Sequence, residues 1–133
     1  MRTDAEKAAF RLRMKDFSRR VKAMTPDERE ALADRLGIVT CEGHPLSPCN
    51  MAMLYYQTAP GEATPTVVAG YRQWTRAGRN VVKGQHARGY IWVPTGRRQD
   101  TDGEDDAPDS TRFVLVPMFD VTQTAELGEP VPA

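Results

Sequence analysis

Residues 81–94 read VVKGQHARGYIWVP, and this stretch predicts a turn followed by a β-strand. A Lys-Gly pair at 83–84 is typical of a turn, and the RGYIWVP segment at 88–94 alternates between two sides as a β-strand does. A second segment, TRFVLVPMFDV at 111–121, is apolar on both faces like a buried strand, although Pro117 indicates an edge or a bulge within it. We expect the two strands to pair antiparallel, because strands that follow each other along the chain usually lie side by side.

The first of these strands has two chemically different sides. Ile91 and Val93 share one side, and Arg88, Tyr90 and Trp92 share the other. The aliphatic side is the easier one to bury, because it carries no polar atom that needs a partner. The pattern therefore predicts that Tyr90 and Trp92 are at least partly exposed beside Arg88, where they could stack on unpaired bases. The alternative is that both aromatic rings pack beneath the N-terminal helices.

An amphipathic helix is predicted near the N-terminus, over about residues 4–24. Five apolar residues recur at spacings of 4, 3, 4 and 3, which places them on one stripe of a helix. They are Phe10, Met14, Phe17, Val21 and Met24. The other faces carry the cations Arg11, Arg13, Lys15, Arg19, Arg20 and Lys22. We interpret the segment as a core-facing helix with a solvated basic back, and a direct nucleic-acid role for its arginines is the alternative.

Capping signals and periodicity predict further helices. TPDE at 25–28 combines a Thr cap, a Pro at the first helical position and the Glu of a capping box. SPCN at 47–50 follows the same pattern, with Ser47 as the cap and Pro48 at the first helical position. It predicts a short helix that ends near Gln57. A fourth helix is predicted over 67–77, with Trp74 on the side that faces the core.

These elements predict an α+β fold in which N-terminal helices pack on a small antiparallel β-sheet. The 133 residues fit one nucleic-acid-binding domain over 1–126, with N-terminal helices at 4–57, a helix and β-hairpin at 67–121, and a tail or linker at 127–133. The sequence has no run of about 18 apolar residues and no apolar signal-peptide core near its start. We therefore expect a cytoplasmic protein without a membrane partner.

Charge is segregated along the chain, although 18 basic and 18 acidic side chains balance overall. Residues 63–99 contain seven Arg or Lys and no acid, whereas 100–109 contain six acids. Such segregation favours a polyanionic partner for the basic stretch. Arg72, Arg76 and Arg79 form one projecting row if the segment is helical, and they could follow a phosphate backbone. The acidic stretch lacks the pattern of a calcium-binding loop and is expected to be a solvated loop.

Catalytic and metal-binding signals are weak. The sequence contains no H-E-x-x-H, no G-x-S-x-G and no phosphate-binding glycine loop ahead of a helix. Cys41, His44 and Cys49 form a C-x2-H-x4-C pattern, but a structural zinc site takes four ligands, and buried thiols are the alternative. We expect a protein that is not an enzyme and that has no cofactor and no metal.

Three segments together resemble a known family. They are SPCNMAMLYYQ at 47–57, ATPTVVAGYRQWTRAGRNVVKGQHARGYIWVP at 63–94 and FVLVPMFDVTQTAE at 113–126. In this order they resemble the N-terminal domain of the ArdC antirestriction proteins, whose pattern includes Trp-x3-Gly-Arg, Val-x-Lys-Gly and Phe-Asp-Val-x-Gln-Thr. The resemblance covers about residues 47–126, and one departure is Gln85, where the family usually has Glu.

The resemblance implies an α+β domain that binds single-stranded DNA and occurs on plasmids, mobile elements and phages. Its relatives commonly continue into a zinc metalloprotease domain, and the present sequence stops where that domain would begin, so no protease activity is expected. The positions that match the family at functional candidates are Asn50, Gln57, Arg79, Lys83, Gln123 and Thr124.

The charge pattern, the aromatic strand and the resemblance together predict a surface that binds nucleic acid. Its predicted residues are Asn50, Gln57, Arg72, Arg76, Arg79, Lys83, His86, Arg88, Tyr90, Trp92, Arg97, Gln123 and Thr124, with Arg98 as a further phosphate contact. The predicted function is sequence-tolerant binding of single-stranded DNA. The alternative is a protein-interaction domain that docks on a nuclease or restriction enzyme, with the acidic segment and exposed aromatics as its anchors.

Overall fold

The computed structural model describes residues 3–94 and 113–127. The helices in these ranges are α1 Asp4–Ala23, α2 Pro26–Leu36, α3 Pro48–Tyr56 and α4 Tyr71–Arg76. The strands are β1 Val39–Thr40, β2 Val67–Ala69, β3 Arg79–Val81, β4 Gly89–Pro94, β5 Phe113–Asp120 and β6 Thr124–Glu126. A 3-10 helix, Val121–Gln123, joins β5 to β6. No helix within the described ranges is long and apolar enough to cross a membrane.

The predicted starts of α2 and α3 are confirmed, and local hydrogen bonds explain both. The Thr25 side chain accepts from the Glu28 amide at 3.1 Å, and the Glu28 carboxylate accepts from the Thr25 amide at 2.8 Å. Ser47 caps α3 by accepting from the Asn50 amide at 3.1 Å. α2 ends at Gly37, whose φ of 57° lies in the left-handed region that glycine adopts without strain. These caps satisfy backbone groups that a helix end leaves without partners.

The apolar stripe of α1 faces the core, as predicted. Met14 and Val21 are buried, and Phe10, Phe17 and Met24 are partly buried against the same cluster, to which α3 also contributes. The basic residues on the other faces of α1 are exposed. The amphipathic pattern therefore located both the helix and its buried side.

The predicted fourth helix over 67–77 is wrong in its first part. Residues Val67–Ala69 form β2, and α4 begins only at Tyr71, after Gly70. Val68 is fully buried, and β2 lies between β1 and β5 in the sheet. The two adjacent valines favour a strand because β-branched side chains fit a pleated surface, and pairing on both sides overrides the helical spacing.

The main sheet has four strands in the order β1-β2-β5-β4. β4 and β5 pair antiparallel as predicted, from Gly89 opposite Met118 to Pro94 opposite Phe113. The α+β class is confirmed, but the sheet is mixed rather than purely antiparallel, because β1 and β2 are parallel. β3 and β6 form a separate antiparallel pair that the sequence did not predict, since strands of three residues are too short to show alternation.

Pro117 lies within β5 without disturbing the pairing with β4. Its partner is Tyr90, whose backbone N–H is bonded instead to a side chain on the opposite side of β4. Tyr90 and Pro117 therefore face each other without exchanging backbone hydrogen bonds, so the missing N–H of proline is tolerated there. β2 pairs with β5 only at Phe119 and Asp120, and Pro117 therefore has an edge-like position on that side as well.

α3 connects the sheet to α1. Met51 and Leu54 pack in one cluster with Ile91 of β4, whereas Ala52 and Met53 pack in a second cluster with α1. All of these side chains are buried. α3 therefore packs against both the sheet and α1.

A third cluster holds α4 in place. Trp74 is only 2% exposed, and its indole N–H donates to the Phe119 carbonyl oxygen at 2.8 Å. It packs with Ala69 and Val81. The predicted core position of Trp74 is confirmed, and this anchoring leaves the other side of α4 exposed.

Candidate nucleic-acid interface

The aromatic side of β4 lies against α1. Tyr90 and Trp92 are both partly exposed, as predicted, but the Tyr90 ring contacts the Phe10 ring edge-on at 4.8 Å between centroids. The Trp92 indole N–H donates to the Ser18 hydroxyl at 2.8 Å. The alternative, that the rings pack beneath the N-terminal helices, therefore also holds in part, because the apolar stripe of α1 covers the aromatic side while Ile91 is buried on the other.

Asn50 and Gln57 bond to the free edge of β4. The Asn50 side-chain amide donates to the Trp92 carbonyl at 2.9 Å and accepts from the Trp92 N–H at 3.0 Å. The Gln57 amide bonds to the backbone of Tyr90 in the same reciprocal way, at 2.8 and 2.9 Å. These amides replace a missing neighbouring strand, which satisfies the edge and blocks strand addition there. Their hydrogen-bonding groups are therefore already occupied within the fold.

Arg79 and Thr124, both predicted site residues, are brought together across the β3–β6 pair. The Arg79 Nε donates to the Thr124 hydroxyl at 2.6 Å, and a terminal nitrogen of Arg79 lies 3.9 Å from Glu126. The Arg79 side chain is 29% exposed. Its guanidinium therefore helps to hold the small sheet together.

Gln123 fixes the turn that leads from β3 to β4. Its side-chain nitrogen donates to the His86 carbonyl at 2.7 Å and to the Gln85 side chain at 3.1 Å. Gly84 has a φ of 90°, which confirms the predicted turn and explains why glycine stands there. The side chains of Lys83 and His86 project from this turn and are exposed.

Arg88 is largely enclosed, with only 10% of its side chain exposed. It donates to the Thr58 hydroxyl at 3.0 Å and to the Ala63 carbonyl at 2.8 Å, and it lies 3.6 Å from the Glu62 carboxylate. The basic stretch is free of acids in sequence but not in space, because Glu62 and Glu126 approach two of its arginines from outside it. Arg88 therefore holds the loop after α3 to the start of β4.

Among the predicted site cations that the structure describes, the accessible ones lie on α4 and on the turn. Arg72, Arg76 and Lys83 are exposed and make no ion pair with any acid of residues 3–94 and 113–127. Arg97, Arg98 and the acidic segment at 100–109 lie outside the described residues. We call Arg72, Arg76 and Lys83 the open cations.

A cleft separates α1 from the N-terminal part of β4, with a volume of about 380 Å³. Four predicted site residues, Gln57, His86, Arg88 and Tyr90, line this α1–β4 cleft together with Phe10, Arg13 and Phe17 of α1. The sequence marked Arg13 only as part of the basic back of α1. Nothing in the local pattern indicated that this helix lies across β4, because that contact joins distant parts of the chain.

Asp120 is a buried acid at the end of β5, only 5% exposed. Its carboxylate accepts from the Thr66 amide at 2.9 Å, and from the amide and hydroxyl of Thr122 at 3.0 and 2.6 Å. Burial by itself raises the pKa of Asp120, but the hydrogen bonds from Thr122, Thr66 and Val67 lower it further than burial raises it. The carboxylate joins β5 to the start of β2 and is a structural acid.

The cysteine and histidine pattern does not converge on a metal site. No group of three His, Cys, Asp or Glu side chains in residues 3–94 and 113–127 could hold a metal ion. The Cys41 thiol lies 3.9 Å from the Gln73 carbonyl oxygen, and burial together with the nearby Glu42 raises its pKa. Both features describe a protonated, packed thiol.

Comparison with known proteins confirms the predicted resemblance. The family model of the N-terminal domain of anti-restriction factor ArdC matches residues 20–122. The chain belongs to the ArdC N-terminal domain family. No curated protein and no solved structure matches it.

Within this ArdC-type domain, several residues that the resemblance marked are used to build the fold. Asn50 and Gln57 complete the edge of β4, and Arg79 and Thr124 join β3 to β6. The family match begins at residue 20, so most of α1 lies outside it. The side of β4 that carries the aromatics is therefore covered by a part of the chain that the family match does not include.

Proposed function

We propose that this protein binds single-stranded DNA without strong sequence preference and serves an antirestriction role by binding rather than by catalysis. The observation that carries the proposal is the set of open cations, which no acid of the described residues neutralises, in a domain of the ArdC family. Such cations attract a polyanion, and each phosphate they neutralise releases counterions from the nucleic acid. We further propose that it acts in the cytoplasm, as a product of a plasmid, phage or other mobile element.

Single strands suit this surface better than duplexes. The Phe10 and Tyr90 rings lie in the α1–β4 cleft, where a base can reach them only if it is unpaired and unstacked. α4 has six residues and exposes Arg72 and Arg76, and so short a helix favours contacts with the phosphate backbone over insertion into a major groove. Affinity would then come from charge and stacking, both of which tolerate different sequences.

A second candidate function is docking on a protein such as a nuclease or restriction enzyme. A second cleft, of about 510 Å³, lies between α1 and the β4–β5 pair, and its lining includes Leu12, Trp92 and Leu115. Leu12 is 67% exposed between Arg11 and Lys15, which also line the cleft. An exposed apolar side chain beside a cleft is typical of a protein-binding surface.

Fluorescence anisotropy with labelled oligonucleotides at two salt concentrations distinguishes the two functions. Binding of single strands that is tighter than binding of the matching duplex, and that weakens steeply with salt, supports the DNA proposal. Absence of oligonucleotide binding at low salt, together with salt-insensitive association with a purified restriction enzyme, supports the docking function instead. The double variant Arg72→Ala/Lys83→Ala, which removes two of the open cations, tests whether these cations provide the affinity for DNA.

A further inference from the structure

The α1–β4 cleft has the size and lining of a small-ligand site. Its volume of about 380 Å³ lies at the lower end of the range of about 300–1,000 Å³ that such sites occupy. A volume of this size can hold a single nucleotide. One wall is formed by α1, and the other by the segment that runs from His86 to Tyr90.

The lining combines aromatic rings with positive charge. Phe10 and Tyr90 meet edge to face, with an angle of 69° between their planes, and Phe17 lines the same cleft. The Arg13 guanidinium lies over the Phe10 ring, with its central carbon 5.7 Å from the ring centroid. Flat apolar rings beside an exposed guanidinium match the two parts of a nucleotide, because the base can stack on the rings and the guanidinium can bind the phosphate.

Acids near the cleft are held by other groups. No acid of residues 3–94 and 113–127 lines the cleft itself. Glu62 approaches Arg88 at 3.6 Å, and Glu6, which lies in an adjoining hollow with Arg13, accepts from the Thr3 amide at 2.8 Å. Arg88 is therefore paired with Glu62, whereas Arg13 makes no ion pair with an acid of residues 3–94 and 113–127.

Lys83 lies close to the cleft along the chain. It is three residues before His86, which is part of the cleft lining. A strand whose phosphates contact Lys83 could therefore place the next base at the cleft. The Gln57 amide in the lining donates to the Met53 and Tyr90 carbonyl oxygens and accepts from the Tyr90 N–H, so it has no N–H left to donate to a base.

We propose that the α1–β4 cleft binds one unstacked base of a single strand, with the base against Phe10 and Tyr90 and its phosphate on Arg13. This inference rests on the proposed binding of single-stranded DNA. The α1 wall, formed by Phe10, Arg13 and Phe17, lies before residue 20, where the family match begins. α1 therefore adds a base-binding subsite to the family's domain.

The test compares a short oligothymidylate with an abasic strand of the same length and charge, in anisotropy titrations of the full chain. Wild type should bind the oligothymidylate more tightly than the abasic strand by roughly 5- to 150-fold, the range expected for one stacked base. Phe10→Leu should reduce this ratio, whereas Tyr55→Leu, which removes an exposed ring on α3, should leave it unchanged. Arg13→Ala should lower the salt slope for both strands by about 0.7, and Lys22→Ala, which removes a charge elsewhere on α1, should not.

The outcomes separate this inference from the proposed function. If Lys83→Ala weakens binding while Phe10→Leu and Arg13→Ala bind both strands as wild type does, the cleft subsite is overturned and single-strand binding stands. If wild type binds neither strand at low salt, both proposals fall. Thermal melting of each variant shows whether it is folded. If Phe10→Leu unfolds, the Arg13→Ala variant alone tests the cleft subsite, because Arg13 is exposed and its loss should not unfold the protein.

Discussion

Gly89, at the start of β4, lies where α3 approaches the strand most closely. A Cβ atom there would be 2.6 Å from Cδ2 of Leu54 and 3.3 Å from the Gln57 side-chain oxygen. Leu54 is fully buried, so its side chain can shift only by displacing packed neighbours. We expect Gly89→Ala to lower the free energy of unfolding by about 1–3 kcal/mol, measured by chemical denaturation. In the Leu54→Ala background the same substitution should cost less, and an equal cost in both backgrounds would contradict the clash.

Asp120 should make stability depend on pH in the acidic range. Its folded-state pKa lies below the ordinary value, so its contribution is complete above the unfolded pKa of about 3.9 and is lost as pH falls through the folded pKa. Thermal melting should show Tm falling below about pH 4. Asp120→Asn should melt earlier at neutral pH, because an amide nitrogen replaces an oxygen that accepts from Thr122. A difference from wild type that stays constant down to pH 3 would exclude this role.

At the scale of single residues, the sequence predicts the positions whose partners are close along the chain. Thr25 and Ser47 each cap a helix by accepting a hydrogen bond from the backbone N–H three residues further along the chain, and the sequence predicts both caps. The bonds of Asn50 and Gln57 to β4 span 42 and 33 residues, and no local pattern indicates them. The resemblance to the family marked both residues without showing that they serve the fold.

At the scale of elements, the predictions that the structure confirms concern the longer helices and strands. The 20-residue α1 and the β4–β5 pair have enough turns or alternations to be recognised, and both were placed correctly. β2 was predicted as helix, and β3 and β6 were not predicted, because three residues fit either period. The position of α1 across β4 depends on tertiary packing, which periodicity does not encode.

The packing of α1 on β4 can be tested at Trp92. Trp92→Ala should lower the free energy of unfolding by about 2–4 kcal/mol, somewhat less than for a fully buried tryptophan, because the ring is only partly buried. Trp92→Phe keeps the ring contact and loses the bond to Ser18, so it should cost about 1 kcal/mol, as should Ser18→Ala. Chemical denaturation measures all three. A Trp92→Ala variant that is as stable as wild type but has lost oligonucleotide affinity would show that the ring stacks on DNA instead.

At the scale of the whole molecule, the sequence predicts the fold class and the family. The predicted site, however, includes cations that the structure uses in different ways. Of the predicted cations, Arg79 and Arg88 are engaged by protein groups, whereas Arg72, Arg76 and Lys83 are open. An acid-free stretch of sequence does not remain acid-free once other segments fold against it. The electrostatic surface is therefore a property of the tertiary structure, and it gives different expectations for cations that looked equivalent in sequence.

Lys83 and Arg79 provide the sharpest contrast between these two groups of cations. Lys83→Ala should weaken binding of every single strand and lower the salt slope by about 0.7, since one phosphate contact is lost, while Tm stays unchanged because the side chain is exposed. Arg79→Ala should leave the slope unchanged and lower the free energy of unfolding by about 1–2 kcal/mol, because the Thr124 hydroxyl loses its donor. Anisotropy titrations at several salt concentrations measure the slopes, and chemical denaturation measures stability. The opposite result, with Arg79 carrying the slope and Lys83 having no effect, would move the DNA path from the turn to the edge of the β3–β6 pair.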